Sequence, residues 1–301
     1  MTFTESPTSL TAQQAAQIRE LAATAETADG VAPLSEAFVA GLVDASRGHR
    51  HLLAYGDQGD VVGACALAGQ EAELVVHPDR RRAGIGAELI AQAQQKGVRD
   101  FWAHGDTPGA QAVARSLSAQ AVRTLLVMGI DPRAVSAPAS FGPKAQLLSL
   151  AEAAQRYGQR QVEQALIAVN NEAFAWHPEQ GGMTEESLHR TMGLKWYDPK
   201  DVLLLLGPER GGQMGTLWGF HWTKRHPGEA ALGEVYVIAL AQQARGQGWG
   251  QALTSAGIEH LRRRGSNSVI LYVESDNTAA VAAYKKVGFT EKERHVVYRV
   301  G

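Results

Sequence analysis

The chain has 301 residues, a formal net charge of −2, 45% hydrophobic and 20% charged residues, and one cysteine, Cys65. That length suits two soluble domains of about 150 residues each. The near-neutral balance excludes the strongly basic footprint of a nucleic-acid binder, no run reaches the roughly 20 apolar residues of a membrane span, and a lone cysteine allows no intrachain disulfide.

Met1 to Glu5 lacks the basic-then-apolar pattern of a secretory leader, so the expected home is the cytoplasm. In the first half, helices are predicted over Thr11–Glu26, with Thr11 as cap, and Ser35–Val43. Strands follow at His51–Tyr55, Val61–Leu67 and Glu71–Val76. Cys65 sits in the middle one and is expected to act as a small buried hydrophobe. A glycine turn, a helix to Lys96, a strand near Phe101, a helix over Ala110–Leu117 and a strand over Val122–Ile130 complete the half.

Prolines and serines between Asp131 and Pro143 mark a join, giving domains over residues 1–133 and 147–301 with a linker over 134–146. The second half repeats the order. Helices are predicted over Val162–Phe174 and Glu185–Met192, then strands over Val202–Leu206, Met214–Trp222 and Glu234–Leu240. A second glycine turn, a helix ending in the solvated run Arg262-Arg263-Arg264, a strand over Ser268–Glu274, a helix over Thr278–Val287 and a strand over Phe289–Arg299 follow.

The two turns are Arg81-Arg82-Ala83-Gly84-Ile85-Gly86 and Arg245-Gly246-Gln247-Gly248-Trp249-Gly250. Each leaves a β-branched strand and opens an apolar-periodic helix, so unpaired backbone N–H groups and the helix dipole converge on one anion. Glycine permits the close approach and positive φ that this needs. Three strands precede each motif, which excludes the Rossmann order. No Gly-Lys-Ser/Thr follows either turn, so there is no Walker A loop.

A turn of this kind after a central strand resembles the acetyl-coenzyme A motif of the GNAT acyltransferases. The expected fold is therefore α/β of the α+β kind: two tandem GNAT domains, each a mixed, mostly antiparallel sheet flanked by helices. The resemblance implies that acetyl-CoA is held, one molecule per domain at most, by Leu74, Val75, Val76 and Arg81 to Gly86 in the first half. In the second half it implies Val237, Ile238, Ala239, Arg245, Gly246, Gln247, Gly248, Trp249, Gly250, Gln251 and Asn277. Asn277, Ala280 to Tyr284 and Gly288-Phe289 form a second family mark, in the second half alone.

Asn170 to Phe174, His177 to Gly182, His221 to Lys224, Gly233 to Val237 and Tyr272 to Asn277 resemble a tandem branch of the family. That branch acetylates the cysteinyl amine of a cysteine–glucosamine–inositol thiol. An α-amino group titrates at about 7.7–8.0, so a base helps it to attack. Glu234, at the head of its strand, is that base in this reading, and alternation places Glu234, Tyr236 and Ile238 on one face. Without the resemblance Glu234 is a plain strand-edge residue. Tyr284 takes the family's acid position beside the leaving thiolate; its plain reading is an aromatic packed beneath Phe289.

The resemblance assigns substrate contacts to Glu36, Glu179 and Lys224 as well as to Glu234 and Tyr284, so the cleft is expected to draw on both halves. Glu36 also suits the first turn of a helix capped by Ser35. His177 and His221 show no metal-ligand spacing. Alignment of the halves sets Ser116 opposite Tyr284, Gln120 opposite Gly288 and about Gln70 opposite Glu234, so the first half is expected to bind coenzyme without transferring acetyl. A monomer without metal, nucleic-acid or membrane partners is expected. The competing readings are a GNAT enzyme for another amine and a silent coenzyme A sensor.

Overall fold

The computed structural model describes residues 2–6, 9–135, 141–142, 145–175, 181–226 and 231–301. They group into two compact units: unit 1 is Met1–Leu126, Glu274–Asp276 and Glu293–Gly301, and unit 2 is Val127–Val273 and Asn277–Lys292. The units thus exchange chain ends relative to a contiguous division. Residues 127–133 fall in unit 2, and the last nine residues, Glu293–Gly301, fall in unit 1. Much of the expected linker, 136–140 and 143–144, lies outside the described residues.

The first half contains β1 (Thr2–Ser6), α1 (Ala12–Asp29), α2 (Glu36–Gly41), β2 (Arg50–Tyr55), β3 (Val61–Ala68), β4 (Glu71–Val76), α3 (Ile85–Gln95), β5 (Asp100–Ala103), α4 (Pro108–Ser116) and β6 (Gln120–Ile130). The second contains β7 (Gln146–Ser149), α5 (Leu150–Tyr157), α6 (Gln159–Ala173), α7 (Glu185–Met192), β8 (Val202–Leu206), β9 (Leu217–Arg225), β10 (Leu232–Leu240), α8 (Trp249–Arg263), β11 (Ser268–Glu274), α9 (Thr278–Val287) and β12 (Thr290–Arg299).

In unit 1, β1 to β4 pair antiparallel in sequence, β4 pairs parallel with β5, and β5 pairs antiparallel with Val296–Arg299 of β12. Alternation along the strands feeds two cores. Leu53, Ala64 and Val75 meet Ala15, Ile18, Leu21 and Ala25 of α1. Leu52, Cys65, Leu67 and Phe101 meet Ile85, Leu89 and Ala93 of α3. Thr11 caps α1 in a reciprocal box with Gln14, as its sequence position anticipates. Cys65 is fully buried and its thiol is pushed up to about 12 by desolvation, so it packs as an inert hydrophobe.

In unit 2, β7, β8, β9 and β10 pair antiparallel and β10 pairs parallel with β11. One face carries Leu204, Phe220, Trp222 and Ala239 against Leu150, Leu166 and Leu188. The other receives α8, whose Leu253, Ile258 and Leu261 are fully buried.

Three elements lie beyond the sequence expectations. β1 and β7 are short edge strands without a clear apolar alternation, whereas α5 carries a legible capping box of Ser149 with Glu152. β9 starts at Leu217 rather than Met214 and runs on to Arg225, which brings Lys224 into the ladder.

Burial holds His51, His221 and His295 near pKa 4, below the ordinary 6.5. The unfolded chain takes up protons that these sites refuse, so stability is full above about pH 6.5 and falls as the pH drops toward 4. Urea midpoints at pH 7 and pH 5 should differ in that direction. Truncation after Lys292 removes a strand neighbour of β5 and the bidentate Arg299–Asp100 pair. It should speed amide exchange at Phe101 and Trp102 while leaving β8 protected, as read by hydrogen exchange.

Candidate active site

Glu234 occupies the point where strand β10 changes its pairing. On one side β10 follows β9, with Glu234 opposite Lys224 and Val235 opposite Thr223; the register then slips, and Val237 stands opposite Trp222 and Ile238 opposite His221. Tyr236 is the extra residue of a β-bulge. Cross-strand partners share a face, so the bulge breaks the simple alternation. Glu234 and Lys224 lie on the Trp222 face, and Tyr236 packs edge-on against Trp222 and Trp196 on that side. Ile238 goes with His221 to the opposite face, which corrects the expectation that it lies beside Glu234.

On its other side β10 pairs with β11 only from Leu232↔Ser268 to Val235↔Leu271. The parallel ladder ends there, and Tyr236 to Leu240 continue without it. β4 behaves alike, pairing with β5 from Glu71 to Glu73 and not over Leu74 to Val76. An unladdered strand edge presents backbone N–H and C=O groups to an extended ligand.

The Glu234 carboxylate is 8% exposed. Its Oε2 lies 2.8 Å from His226 Nε2 and 3.5 Å from Lys224 Nζ. Lys224 is equally buried, with its ammonium 5.6 Å above the Trp196 ring. The structure thus brings two expected site residues, Glu234 and Lys224, into one ion pair. It adds His226 and Trp196, which the sequence did not single out. The hairpin from β9 to β10 makes the contact: a sheet partner is set by register, and no spacing motif signals it.

The second glycine turn leaves β10 through Arg245, whose Nε donates to Leu240 O at 3.4 Å. Gly246 and Gly248 have φ of +77° and +75° with open space where a Cβ would stand. Gly248 is the N-cap of α8 and offers no side-chain cap, so the first N–H groups of Trp249, Gly250 and Gln251 face outward as an anion cradle. Trp249 stacks on Trp218 of β9 at 4.6 Å between ring centroids, pinning the helix start to the sheet as expected. Glu172, inside the Asn170–Phe174 segment, accepts the Gln242 N–H at 3.1 Å and so holds the turn that precedes the cradle. Asn277 caps α9 by accepting from Ala280 N at 3.1 Å.

Unit 1 repeats the turn with two differences. Arg82 stands in the Gly246 position with φ of +66°, a left-handed conformation that costs a non-glycine residue strain. Arg81 makes the same contact to a strand carbonyl, Val76 O, but its guanidinium is also paired bidentately with Asp29. A cavity of about 650 Å³ opens beside this turn, lined by Leu74, Val76, Gly84, Gly86, Phe101 and Tyr298 among others. Ala83 and Ile85 belong to the same turn and helix start, and Val75 is buried toward α1.

Tyr284 lies on α9, half-buried, with its ring 5.9 Å from Phe289 and edge-on to it. Desolvation pushes its phenol up to about 12, so the proton stays on oxygen throughout the neutral range. Glu36 is the first residue of α2 in unit 1, an exposed position behind the Ser35 cap. Glu179 and His177 lie outside the described residues. His221 is fully buried, tied to Leu253 O at 3.0 Å on the face away from Glu234. Among the described residues no group of three or more His, Cys, Asp or Glu is arranged to hold a metal ion.

The geometry also corrects the alignment of the halves. Val76 opposite Gly63 and Leu240 opposite Gly219 start equivalent ladders, and the bulge at Tyr236 then brings Glu71, not Gln70, to the Glu234 position. Helix caps set the second match. Thr107 and Asn277 are the N-caps, and Ala119 N→Ala114 O repeats Phe289 N→Tyr284 O. Ala114, not Ser116, therefore replaces Tyr284, and Ser118, not Gln120, replaces Gly288. The Ser116 match already absorbs the four extra residues of α8; the remaining slip of two arises because Asn277 follows the start of β11 at Ser268 by nine residues, whereas Thr107 follows the start of β5 at Asp100 by seven.

The acetyltransferase (GNAT) family profile matches residues 16–116 and 165–289. The chain is 46% identical to a mycothiol acetyltransferase of Corynebacterium aurimucosum over 94% of each chain. It is 42% identical to one of Corynebacterium diphtheriae, covering 97% of this chain and 96% of that one. Among solved structures, a GCN5-related N-acetyltransferase from Sphaerobacter thermophilus superposes with a TM-score of 0.72 at 19% identity, over 99% of this chain and 95% of that one. A tandem GNAT protein from the clavulanic acid biosynthesis pathway gives 0.68 at 19% identity, over 100% and 99%. With a matching region in each half, the chain belongs to the acetyltransferase (GNAT) family as a tandem member that uses acetyl-CoA.

Proposed function

We propose that this chain transfers acetyl from acetyl-CoA to the cysteinyl amine of a cysteine–glucosamine–inositol thiol, the last step in making mycothiol. The reading rests on relatives named mycothiol acetyltransferase over nearly the whole chain, and on the segments from Asn170 to Asn277 that resemble mycothiol synthase. The observation that carries its chemistry is a buried carboxylate, Glu234, set where β10 parts from β11.

The coenzyme supplies an acetyl group activated as a thioester. Backbone N–H groups from Gly246 to Gln251 suit its pyrophosphate, with Arg245 and Gln247 at the rim, and the unladdered edge of Val237, Ile238 and Ala239 suits the pantetheine arm. An N–H of that same edge is positioned to stabilise the oxyanion that develops on the acetyl carbonyl. Glu234 takes a proton from the acceptor ammonium, directly or through a water. The freed nitrogen lone pair attacks the thioester carbon, the C–S bond breaks, Tyr284 O–H protonates the departing thiolate, and the second proton shed by the acylated nitrogen returns through water to the Tyr284 phenolate. Lys224 pairs with Glu234 in the site, and Glu36 and Glu179 are proposed contacts to the amine and sugar hydroxyls.

Unit 1 is proposed to hold a coenzyme molecule in its 650 Å³ cavity without transferring acetyl. Ala114 at the Tyr284 position has no proton to give, and Glu71 at the Glu234 position is engaged by Trp102 Nε1 at 3.1 Å. The domain division at residues 1–133 and 147–301 remains our assignment of the two coding repeats, with the strand exchange superimposed on it.

Thiol release from acetyl-CoA in the presence of the cysteine–sugar acceptor tests the roles. Glu234→Gln should lower kcat roughly 10²- to 10⁴-fold, and Tyr284→Phe should lower kcat while leaving the KM for acetyl-CoA unchanged. Turnover of another amine in preference to this acceptor would refute the substrate assignment. A separate variant tests the cradle: Gly248→Ala forces a left-handed alanine, at roughly 1–2 kcal/mol, and should weaken coenzyme binding by about tenfold. Gly30→Ala carries the same strain at the end of α1 and should not, as measured by calorimetric titration.

A further inference from the structure

Glu234 is held through one oxygen. Lys224 and His226 both address Oε2, at 3.5 and 2.8 Å, and no described residue bonds to Oε1. An ionised carboxylate only accepts hydrogen bonds, so the 2.8 Å contact requires His226 Nε2 to carry the proton. The backbone of His226 is itself fixed: its main-chain N–H donates to Leu232 O at 3.2 Å, closing the hairpin between β9 and β10. Its side chain is 15% exposed, so the contact is shielded from water. Lys224 and His226 are two residues apart on one strand path and flank Glu234 from the same face.

We propose that His226 is a positioning residue for acetyl transfer, acting through Glu234. The inference rests on Glu234 as the base. A terminal carboxylate torsion is broad and is not fixed by rotamer preference. The Lys224 ammonium, at 3.5 Å, attracts the carboxylate without orienting it. The directional N–H of His226 sets the carboxylate plane and leaves Oε1 as the oxygen that receives the proton. In that step an N–H bond of the acceptor ammonium breaks, an Oε1–H bond forms, and nitrogen keeps the electron pair that attacks the thioester. His226 gains and loses no proton; it remains the donor to Oε2 before and after.

Steady-state kinetics of the full chain with His226→Ala, His226→Gln, Glu234→Gln and the double variant His226→Ala/Glu234→Gln test this. His226→Gln keeps a neutral N–H donor of similar reach. His226→Ala is expected to lower kcat about 10- to 100-fold, the scale of a lost hydrogen bond to a charge. The KM for acetyl-CoA should stay within about twofold, His226→Gln should recover most of the rate, and the double variant should be no slower than Glu234→Gln alone. Wild-type kcat in His226→Ala overturns the proposal. So does a double variant slowed by the full His226→Ala factor below Glu234→Gln, or a His226→Gln enzyme as slow as His226→Ala despite an unchanged melting temperature. The base assignment fails separately, and the positioning role with it, only if Glu234→Gln keeps wild-type kcat.

Discussion

Strand β10 is paired with β9 from Gly233 to Leu240, bar the bulge, and with β11 only as far as Val235, and the chemistry proposed for unit 2 depends on that asymmetry. A central strand that loses one neighbour exposes backbone donors and acceptors, which is costly in a packed interior unless a ligand can use them. The bulge at Tyr236 falls at the same place. It turns the strand just after Glu234, so a buried carboxylate, an open backbone edge and a glycine turn follow one another within one stretch of chain. A buried carboxylate is itself unfavourable unless paired. Lys224 of β9 and His226, one residue past that strand's end, supply that pairing while using a single oxygen.

The same backbone device occurs twice, and in the proposed function it carries chemistry only once. In unit 1 β4 also leaves β5 early and also enters a turn that caps a helix without a side-chain cap. What differs is the decoration. Asp29 has captured the guanidinium of Arg81, Arg82 takes a conformation better suited to glycine, and the helix position that could donate a proton is alanine. Ser35 N–H donates to Glu73 Oε2 and His104 Nε2 lies 3.1 Å from Oε1, so the buried carboxylate on this strand is contacted within its own unit. Binding geometry outlasts catalytic side chains because the former is written in backbone conformation, which tolerates most substitutions.

Much of this was legible in the sequence. Strand order, both turns, the Thr11 and Ser35 caps and the stacking role of Trp249 follow from periodicity and from glycine and capping chemistry, all of which are local. The bulge was not legible, because strict alternation assumes a period of two and one inserted residue inverts it; Ile238 went to the wrong face for that reason. The Ser116 and Gln70 matches failed for a related cause, since two extra residues between the start of β11 and the Asn277 cap, and the bulge, each shift one half against the other. His226 could not be singled out, because it meets Glu234 across a hairpin. A carboxylate on β10 that needs burial implies cationic or N–H-donating partners on β9 or in the hairpin that follows it, however, and that physical demand is a usable signal.

The most direct measurement is a crystal structure of the full chain with a non-hydrolysable acetyl-CoA thioether. The account predicts pyrophosphate oxygens within hydrogen-bond distance of the backbone N–H groups between Gly246 and Gly250. It further predicts the pantetheine arm running along Tyr236 to Leu240 where β11 has left the ladder, with the acetyl carbon on the Glu234 side. A coenzyme bound with its acetyl group on the Ile238 face, or away from this turn altogether, would contradict it.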